Sequence, residues 1–147
     1  MSPYDYGDWV LPEPLAAHVD PGYRSFAGPG WHPILARLHD RLAAIDPDYR
    51  LDQVKEKFGV LRVYPADEEY AARRRVLDAI EAAIADAVRE SAATCERCGQ
   101  PGRLRSEPEW RGLRHRVLTL CDRCVAVELA DYGVPGDAVT AFVDSNT

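Results

Sequence analysis

Cys95-Glu-Arg-Cys98 and Cys121-Asp-Arg-Cys124 are the two stretches of sequence that decide the fold. They contain all four cysteines of the chain, and 22 residues separate the first pair from the second. Two Cys-x-x-Cys pairs at this spacing are typical of a zinc site, because four thiolates can surround one Zn²⁺ as a tetrahedron. The sequence therefore predicts one structural Zn²⁺, bound by these four cysteines.

Two disulfides, or a redox-active pair, are the alternative uses of the four cysteines. Disulfides persist in oxidising compartments, whereas the N-terminus, Met1-Ser-Pro-Tyr-Asp-Tyr, has no basic segment followed by an apolar one that would mark secretion. A redox Cys-x-x-Cys needs only one pair and normally opens a helix of a βαβ unit. We therefore favour zinc and expect a cytoplasmic protein.

The residues around the cysteines predict the type of zinc module. Gly99 follows the first pair and can adopt the positive φ that lets the backbone turn towards the metal. Two short apolar runs, 102–106 and 113–120, predict a hairpin, and a helical pattern begins at the second pair. A knuckle, a hairpin and a helix that carries the last two ligands form a treble-clef zinc finger. A zinc ribbon, which ends in a second knuckle instead of a helix, is the alternative.

The region before the cysteines predicts a helix, a β-hairpin and a long helix. An apolar stripe that starts after Pro33 and ends before Asp46-Pro47 predicts the first helix. Alternating residues over 49–64, with Phe58-Gly59 near the turn, predict the hairpin. A second stripe predicts one helix over 67–93 that runs directly into Cys95. We therefore expect an α+β protein in which residues 1–93 pack on a zinc module of residues 94–147 as one compact unit.

The first 31 residues have no helical or strand period but are rich in aromatic residues, among them Tyr4, Tyr6 and Trp9. A disordered tail would be poor in aromatic rings. We expect the segment to wrap over the core in irregular form, since buried rings offset the entropy of ordering a loop. The alternative is that some of these rings form a surface for a partner.

Composition limits the possible functions. The formal net charge is −6, which argues against a general polyanion binder, and no apolar run is long enough to cross a membrane. The four histidines are scattered, and none has the spacing of a zinc hydrolase or deaminase. Because a closed four-sulfur site also has no open position for chemistry, we do not expect an enzyme.

A longer pattern resembles a known family. The run Gln53-Val-Lys-Glu-Lys-Phe-Gly59, then Leu61-Arg62 and Tyr64, is followed by Cys95-x-x-Cys-Gly99 and Leu120-Cys-x-x-Cys124. This pattern is similar to an uncharacterised family of small bacterial and phage zinc-binding proteins, and the similarity extends from about Gly30 to Cys124. The resemblance implies a zinc-binding protein of the cell interior and no particular activity.

Two functions of different classes follow. The first is a zinc-stabilised protein-interaction module, such as a bacterial or phage accessory, inhibitor or immunity-type protein. It would dock an unidentified, basic partner through its acidic N-terminal part and the rings of Tyr4, Tyr6 and Trp9. Lys55 and Lys57, on one strand face, form a further candidate contact surface.

The alternative function is nucleic-acid binding by the arginine-rich zinc hairpin. Arg103 and Arg105, like Arg114 and Arg116, are two residues apart, so each pair is expected to project from one face of its strand. Such a face can contact phosphates. The net charge of −6 makes this function the less favoured of the two.

Overall fold

The computed structural model describes residues 9–105, 117–131, 133 and 136–137 of the 147-residue chain. Two 3₁₀ turns, Leu15–His18 and Pro29–Trp31, precede four helices and four strands within these residues. The elements are α1 His32–Ile45, β1 Leu51–Lys57, β2 Val60–Pro65, α2 Asp67–Tyr70, α3 Arg74–Ser91, β3 Arg103–Arg105, β4 Leu118–Leu120 and α4 Asp122–Asp131. The strands form two antiparallel pairs, β1–β2 and β3–β4, and the fold is α+β.

Helix α1 forms where the apolar stripe predicts it. Proline occupies the first turn, where its missing N–H costs no hydrogen bond, and the helix ends before Asp46. The stripe is buried against α3 and the hairpin, and its buried members are Ile34, Leu35, Leu38 and Leu42.

The β1–β2 hairpin turns at Phe58-Gly59, as predicted. Both residues have positive φ, 54° and 80°, which is typical of the two-residue turn that matches the twist of antiparallel strands. Residues alternate between two faces: Val54, Leu61 and Val63 are buried in the core, and the residues between them point outward.

The single long helix predicted over 67–93 is wrong, because the structure has the short α2 and the longer α3 with a break between them. The break follows Tyr70, whose ring is buried and whose hydroxyl accepts a 2.9 Å hydrogen bond from the backbone N–H of Arg50. Arg73 then has φ −126° and ψ 57°, outside the helical region. Tyr70 is therefore anchored beside the hairpin, and α3 begins as a separate helix after the break.

The buried side chains form two hydrophobic clusters. The larger one joins α1, the hairpin and α3 with Leu15, Val19 and Ala27 from the N-terminal segment. That segment lies along β1, where Phe26 N–H donates to the carbonyl oxygen of Val54 at 2.9 Å. The smaller cluster contains Cys95, Leu118, Leu120, Cys124, Val125 and Leu129. The N-terminal segment thus wraps over the core in its described part.

None of the helices in the described ranges is both long enough and apolar enough to cross a lipid bilayer.

Candidate metal centre

The four cysteines converge on one point. Their Sγ atoms all lie within 4.8 Å of one another, and those of Cys98 and Cys121 are 3.6 Å apart. Sulfurs at about 2.3 Å from one tetrahedral ion are about 3.8 Å apart, so a single Zn²⁺ fits this cluster. Within the described part of the chain, this is the only group of three or more cysteine, histidine or carboxylate side chains close enough to share an ion.

The backbone of the first knuckle is shaped by local hydrogen bonds. Gly99 has φ 83°, as predicted, and its N–H donates to the carbonyl oxygen of Cys95 at 2.9 Å. The N–H of Cys95 donates in turn to the carbonyl oxygen of Gln100 at 2.7 Å. This tight turn, which precedes β3, brings the side chains of Cys95 and Cys98 to one cluster.

The second pair lies at the start of α4. Cys121 immediately precedes the helix, and Cys124 is in its first turn. The N–H of Cys124 is 3.4 Å from Sγ of Cys121, so a backbone donor points at one of the four clustered sulfurs. The knuckle therefore holds one pair of cysteines, and the start of α4 holds the other.

Burial and hydrogen bonding shift the pKa values of the clustered thiols in different directions. Burial raises the pKa values of the Cys95 and Cys124 thiols, so without a positive charge both stay protonated. Burial also acts on Cys121, but hydrogen bonds from the backbone and side chain of Cys124 outweigh it and lower the Cys121 pKa. A coordinating metal deprotonates thiols outright. The residues therefore fit a metal whose role is to hold the fold, since four sulfurs complete a tetrahedron.

The backbone around the cysteine cluster packs directly on the N-terminal segment. The N–H of Gly30 donates to the carbonyl oxygen of Glu96 at 2.7 Å, and Nε1 of Trp31 donates to the carbonyl oxygen of Thr94 at 2.9 Å. A side chain on Gly30 would overlap the carbonyl oxygen of Cys95. Sequence patterns did not assign Gly30 and Trp31 to the site, because a glycine needed for close approach leaves no periodic signal.

Thr119 connects the cysteine cluster to the tip of the β1–β2 hairpin. Its carbonyl oxygen accepts a 2.9 Å hydrogen bond from the N–H of Glu96. Its hydroxyl donates a 2.6 Å hydrogen bond to the carbonyl oxygen of Gly59, and the side chain is fully buried. No sequence pattern indicates this contact, which joins residues 60 positions apart.

The structure corrects the expectation that Arg105 is available to a ligand. Arg103 and Arg105 do lie on one strand face, but that face is turned inward, and Arg105 is only 1 % exposed. Its Nη2 donates to Asp122 at 2.6 Å, and its Nε donates to the carbonyl oxygen of Leu120 at 3.1 Å. Arg105 therefore fixes β3 to the start of α4. The other two arginines of the proposed nucleic-acid surface, Arg114 and Arg116, lie outside the described residues.

The other candidate contact residues differ in where they lie and in how exposed they are. Tyr4 and Tyr6 lie outside the described residues, and Trp9 is half-buried against the smaller hydrophobic cluster. Lys55 and Lys57 lie on the outward face of β1, with Nζ of Lys55 5.9 Å from the centre of the Tyr64 ring. These two lysines are the candidate contact residues that the structure places on an accessible face.

Three histidines hold neighbouring segments together through hydrogen bonds. The ring of His18 stacks on Tyr49 at 3.9 Å, and its Nδ1 donates to the Tyr49 carbonyl oxygen at 2.8 Å. Nδ1 of His39 is hydrogen-bonded to the Tyr49 hydroxyl at 2.8 Å, and Nε2 of His32 donates to the carbonyl oxygen of Val10 at 2.8 Å. His18 and His39 therefore order the chain around Tyr49, and His32 holds the N-terminal segment at Val10.

Comparison with known proteins found no matching family model, no matching curated protein and no matching solved structure. The features of this chain that bear on function are therefore the geometry of its cysteine cluster and its exposed surfaces.

Proposed function

We propose that this protein is a zinc-stabilised, non-enzymatic protein-interaction module. The observation that carries the proposal is the closed cluster of four cysteine thiols within 4.8 Å of one another. Four sulfurs fill the tetrahedral positions of Zn²⁺ and leave none for a substrate or an activated water. The metal then serves folding, and the function lies on the surface that the folded chain presents.

Zinc is the metal that this donor set favours. Thiolates select soft or borderline ions, and one ion among four sulfurs agrees with the 3.6 Å separation of the Cys98 and Cys121 sulfurs. The order of elements supports a treble clef over a zinc ribbon. In a ribbon a second knuckle follows the hairpin, whereas here α4 begins at Asp122 and carries Cys124 in its first turn.

A role in protein contact agrees with the exposed apolar side chains. Phe58 is 66 % exposed, and Leu104, whose side chain lies next to Gly59, is 47 % exposed. Aromatic anchors of this kind carry much of the binding energy of protein interfaces. An accessory, inhibitor or immunity-type protein of bacterial or phage origin, acting in the cytoplasm, would use such a surface, and the resemblance to small bacterial and phage zinc proteins agrees with that role.

Metal analysis combined with partner capture tests the proposal. Protein purified without added metal should contain about one zinc per chain and no iron. Tagged protein should retain a partner from lysate of its host when it contains zinc, lose that partner after chelation, and regain it when zinc is restored. Metal-free protein with two disulfides would contradict the zinc site. Full partner capture by chelated protein would contradict the stabilising role of the metal.

A further inference from the structure

The outward side of the β1–β2 hairpin forms a distinct surface. Lys55 and Lys57 on β1 lie on the same face as Arg62 and Tyr64 on β2, and Phe58 projects at the turn between the strands. The opposite face is the one buried in the core. We call these five residues the basic–aromatic face.

The charges of this face are uncompensated within the described part of the chain. Lys55 lies directly opposite Arg62 in the strand register, and like charges in this position destabilise a sheet. None of the three cations forms an ion pair with a carboxylate of the described residues. The chain as a whole carries −6, so this is a local concentration of positive charge on an acidic protein. An anionic partner would relieve the repulsion.

Phe58 is in an unfavourable place for a residue with only a folding role. Its φ of 54° lies in the left-handed region, where asparagine or glycine is ordinary and a bulky side chain is strained. The ring gains little from the core in return, because Phe58 is 66 % exposed. Nζ of Lys57 is 5.6 Å from the centre of this ring, so the aromatic group and the charge form one surface. An exposed ring held in a strained turn is suited to anchoring a partner.

We infer that the basic–aromatic face docks an acidic segment of a partner protein. Phe58 inserts among the apolar side chains of that segment, and Lys55, Lys57 and Arg62 pair with its carboxylates. This inference rests on the proposed function and names the surface and the partner chemistry for it. The partner is acidic, in contrast to the basic partner expected from the net charge, because the positive residues are concentrated where the aromatic rings are exposed.

A short acidic segment fits the surface better than a long polyanion. At the other end of the hairpin, a cavity of about 350 Å³ is lined by five carboxylates and one cation, the guanidinium of Arg50. The carboxylates belong to Asp20, Asp52, Asp67, Glu68 and Glu69. A nucleic-acid strand that extended along the hairpin from the turn would reach this negative region and be repelled. The positive footprint is therefore limited to the half of the hairpin near Phe58.

Titration of zinc-loaded, isotope-labelled full-length protein tests the inference. The probes are a short glutamate-rich peptide with central leucines and, separately, a single-stranded oligothymidylate of the same length. The peptide should shift the amide resonances of β1, the turn and β2. The double variant K55E/K57E should weaken peptide binding at least tenfold, equivalent to about 1.4 kcal/mol. The control R74E/R75E, which changes the net charge equally on the exposed start of α3, should bind as the wild type does.

Phe58→Asn separates docking from folding. Asparagine accepts the left-handed turn more readily than phenylalanine, so the variant should melt at or above the wild-type temperature. It should nevertheless bind the peptide about tenfold more weakly, because the anchor is gone. A lower melting temperature together with unchanged peptide binding would show that Phe58 has a structural role, and would overturn its part in the inference.

The other outcomes have definite meanings. Oligothymidylate binding at this face with steep salt dependence, and no peptide binding, would assign the surface to nucleic acid and overturn the acidic-protein partner. Peptide shifts outside the hairpin, or no shifts with either probe, would overturn the face itself. If the zinc-loaded K55E/K57E variant captures the host partner as well as the wild type does, the face would also be overturned. The proposed function would remain intact.

Discussion

The amide of Gly30 donates a 2.7 Å hydrogen bond to the carbonyl oxygen of Glu96, the residue that follows the first metal ligand. The approach is this close because Gly30 has no side chain: a Cβ there would also lie 2.6 Å from the amide nitrogen of Gly99. The N-terminal segment and the metal knuckle are therefore in backbone contact, without an intervening layer of side chains.

Gly30→Ala should destabilise the protein by about 3 kcal/mol, because the new methyl group overlaps backbone atoms that cannot rotate away. Thermal unfolding of the zinc-loaded protein measures the effect. Gly136→Ala is the control, since a Cβ there meets no atom of the described residues within 4 Å, and it should melt close to the wild type. Equal melting temperatures for the two variants would contradict the close packing at Gly30.

Arg105→Ala should cost about 2–4 kcal/mol of unfolding free energy. The guanidinium is 1 % exposed and bonded to Asp122 and to the carbonyl oxygen of Leu120, and its loss leaves both acceptors without this donor. The exposed neighbour Arg123 provides the control, and Arg123→Ala should stay within about 0.5 kcal/mol. Chemical denaturation measures both, and the opposite ranking would contradict the buried role of Arg105.

Arg105→Lys should be nearly as destabilising as the alanine variant. A lysine has one compact ammonium group and cannot reproduce the two directed bonds of the guanidinium fork. Full rescue of the melting temperature by lysine would show that charge alone, rather than geometry, is needed at this position.

The protein should lose stability at alkaline pH through Tyr49. Burial, with a smaller effect of Tyr70, raises the pKa of Tyr49 above its ordinary value of about 10. Above pH 10 the unfolded chain therefore binds fewer protons than the folded one, so the free energy of unfolding falls as the pH rises. Tyr49→Phe should flatten this decline, at a cost near neutral pH of about 1 kcal/mol for the lost bond to His39. The exposed variant Tyr64→Phe should keep the wild-type slope.

Removal of the metal should unfold the zinc module before the larger core. Structural zinc contributes about 10–16 kcal/mol of apparent binding energy in small finger peptides, which exceeds the stability of many whole domains. The larger cluster around α1 and α3 contains none of the cysteines, so part of it should persist after chelation. Hydrogen exchange should show rapid exchange in β4 and α4 and retained protection in α1. Simultaneous loss of protection in all three would contradict two separable cores. Cys121→Ser should reproduce the effect of chelation.

The sequence predicted local structure well where one physical rule determines it. Proline in the first turn and an apolar stripe specify α1, and Gly59, with its positive φ, marks the hairpin turn. The convergence of the four cysteines followed from their spacing, because few arrangements of two Cys-x-x-Cys pairs satisfy four thiols.

The parts that the sequence did not predict depend on tertiary contacts. Spacing correctly placed Arg103 and Arg105 on one strand face, but which face is inward depends on α4 and Asp122. Similarly, the break after Tyr70 depends on Arg50, which is 20 residues away in the chain. A periodic pattern identifies a face, and only packing decides what that face meets.

Thr119 joins the cysteine cluster to the turn of the basic–aromatic face through two hydrogen bonds. The metal knuckle holds the carbonyl of Thr119, and the hydroxyl of the same residue holds the carbonyl of Gly59, next to Phe58. If zinc orders this turn and a partner binds only the ordered turn, each ligand must raise the affinity of the other by the same factor. Partner-bound protein would then retain zinc at chelator concentrations that strip the free protein, and zinc scarcity in the cell would weaken the complex without any change in partner abundance.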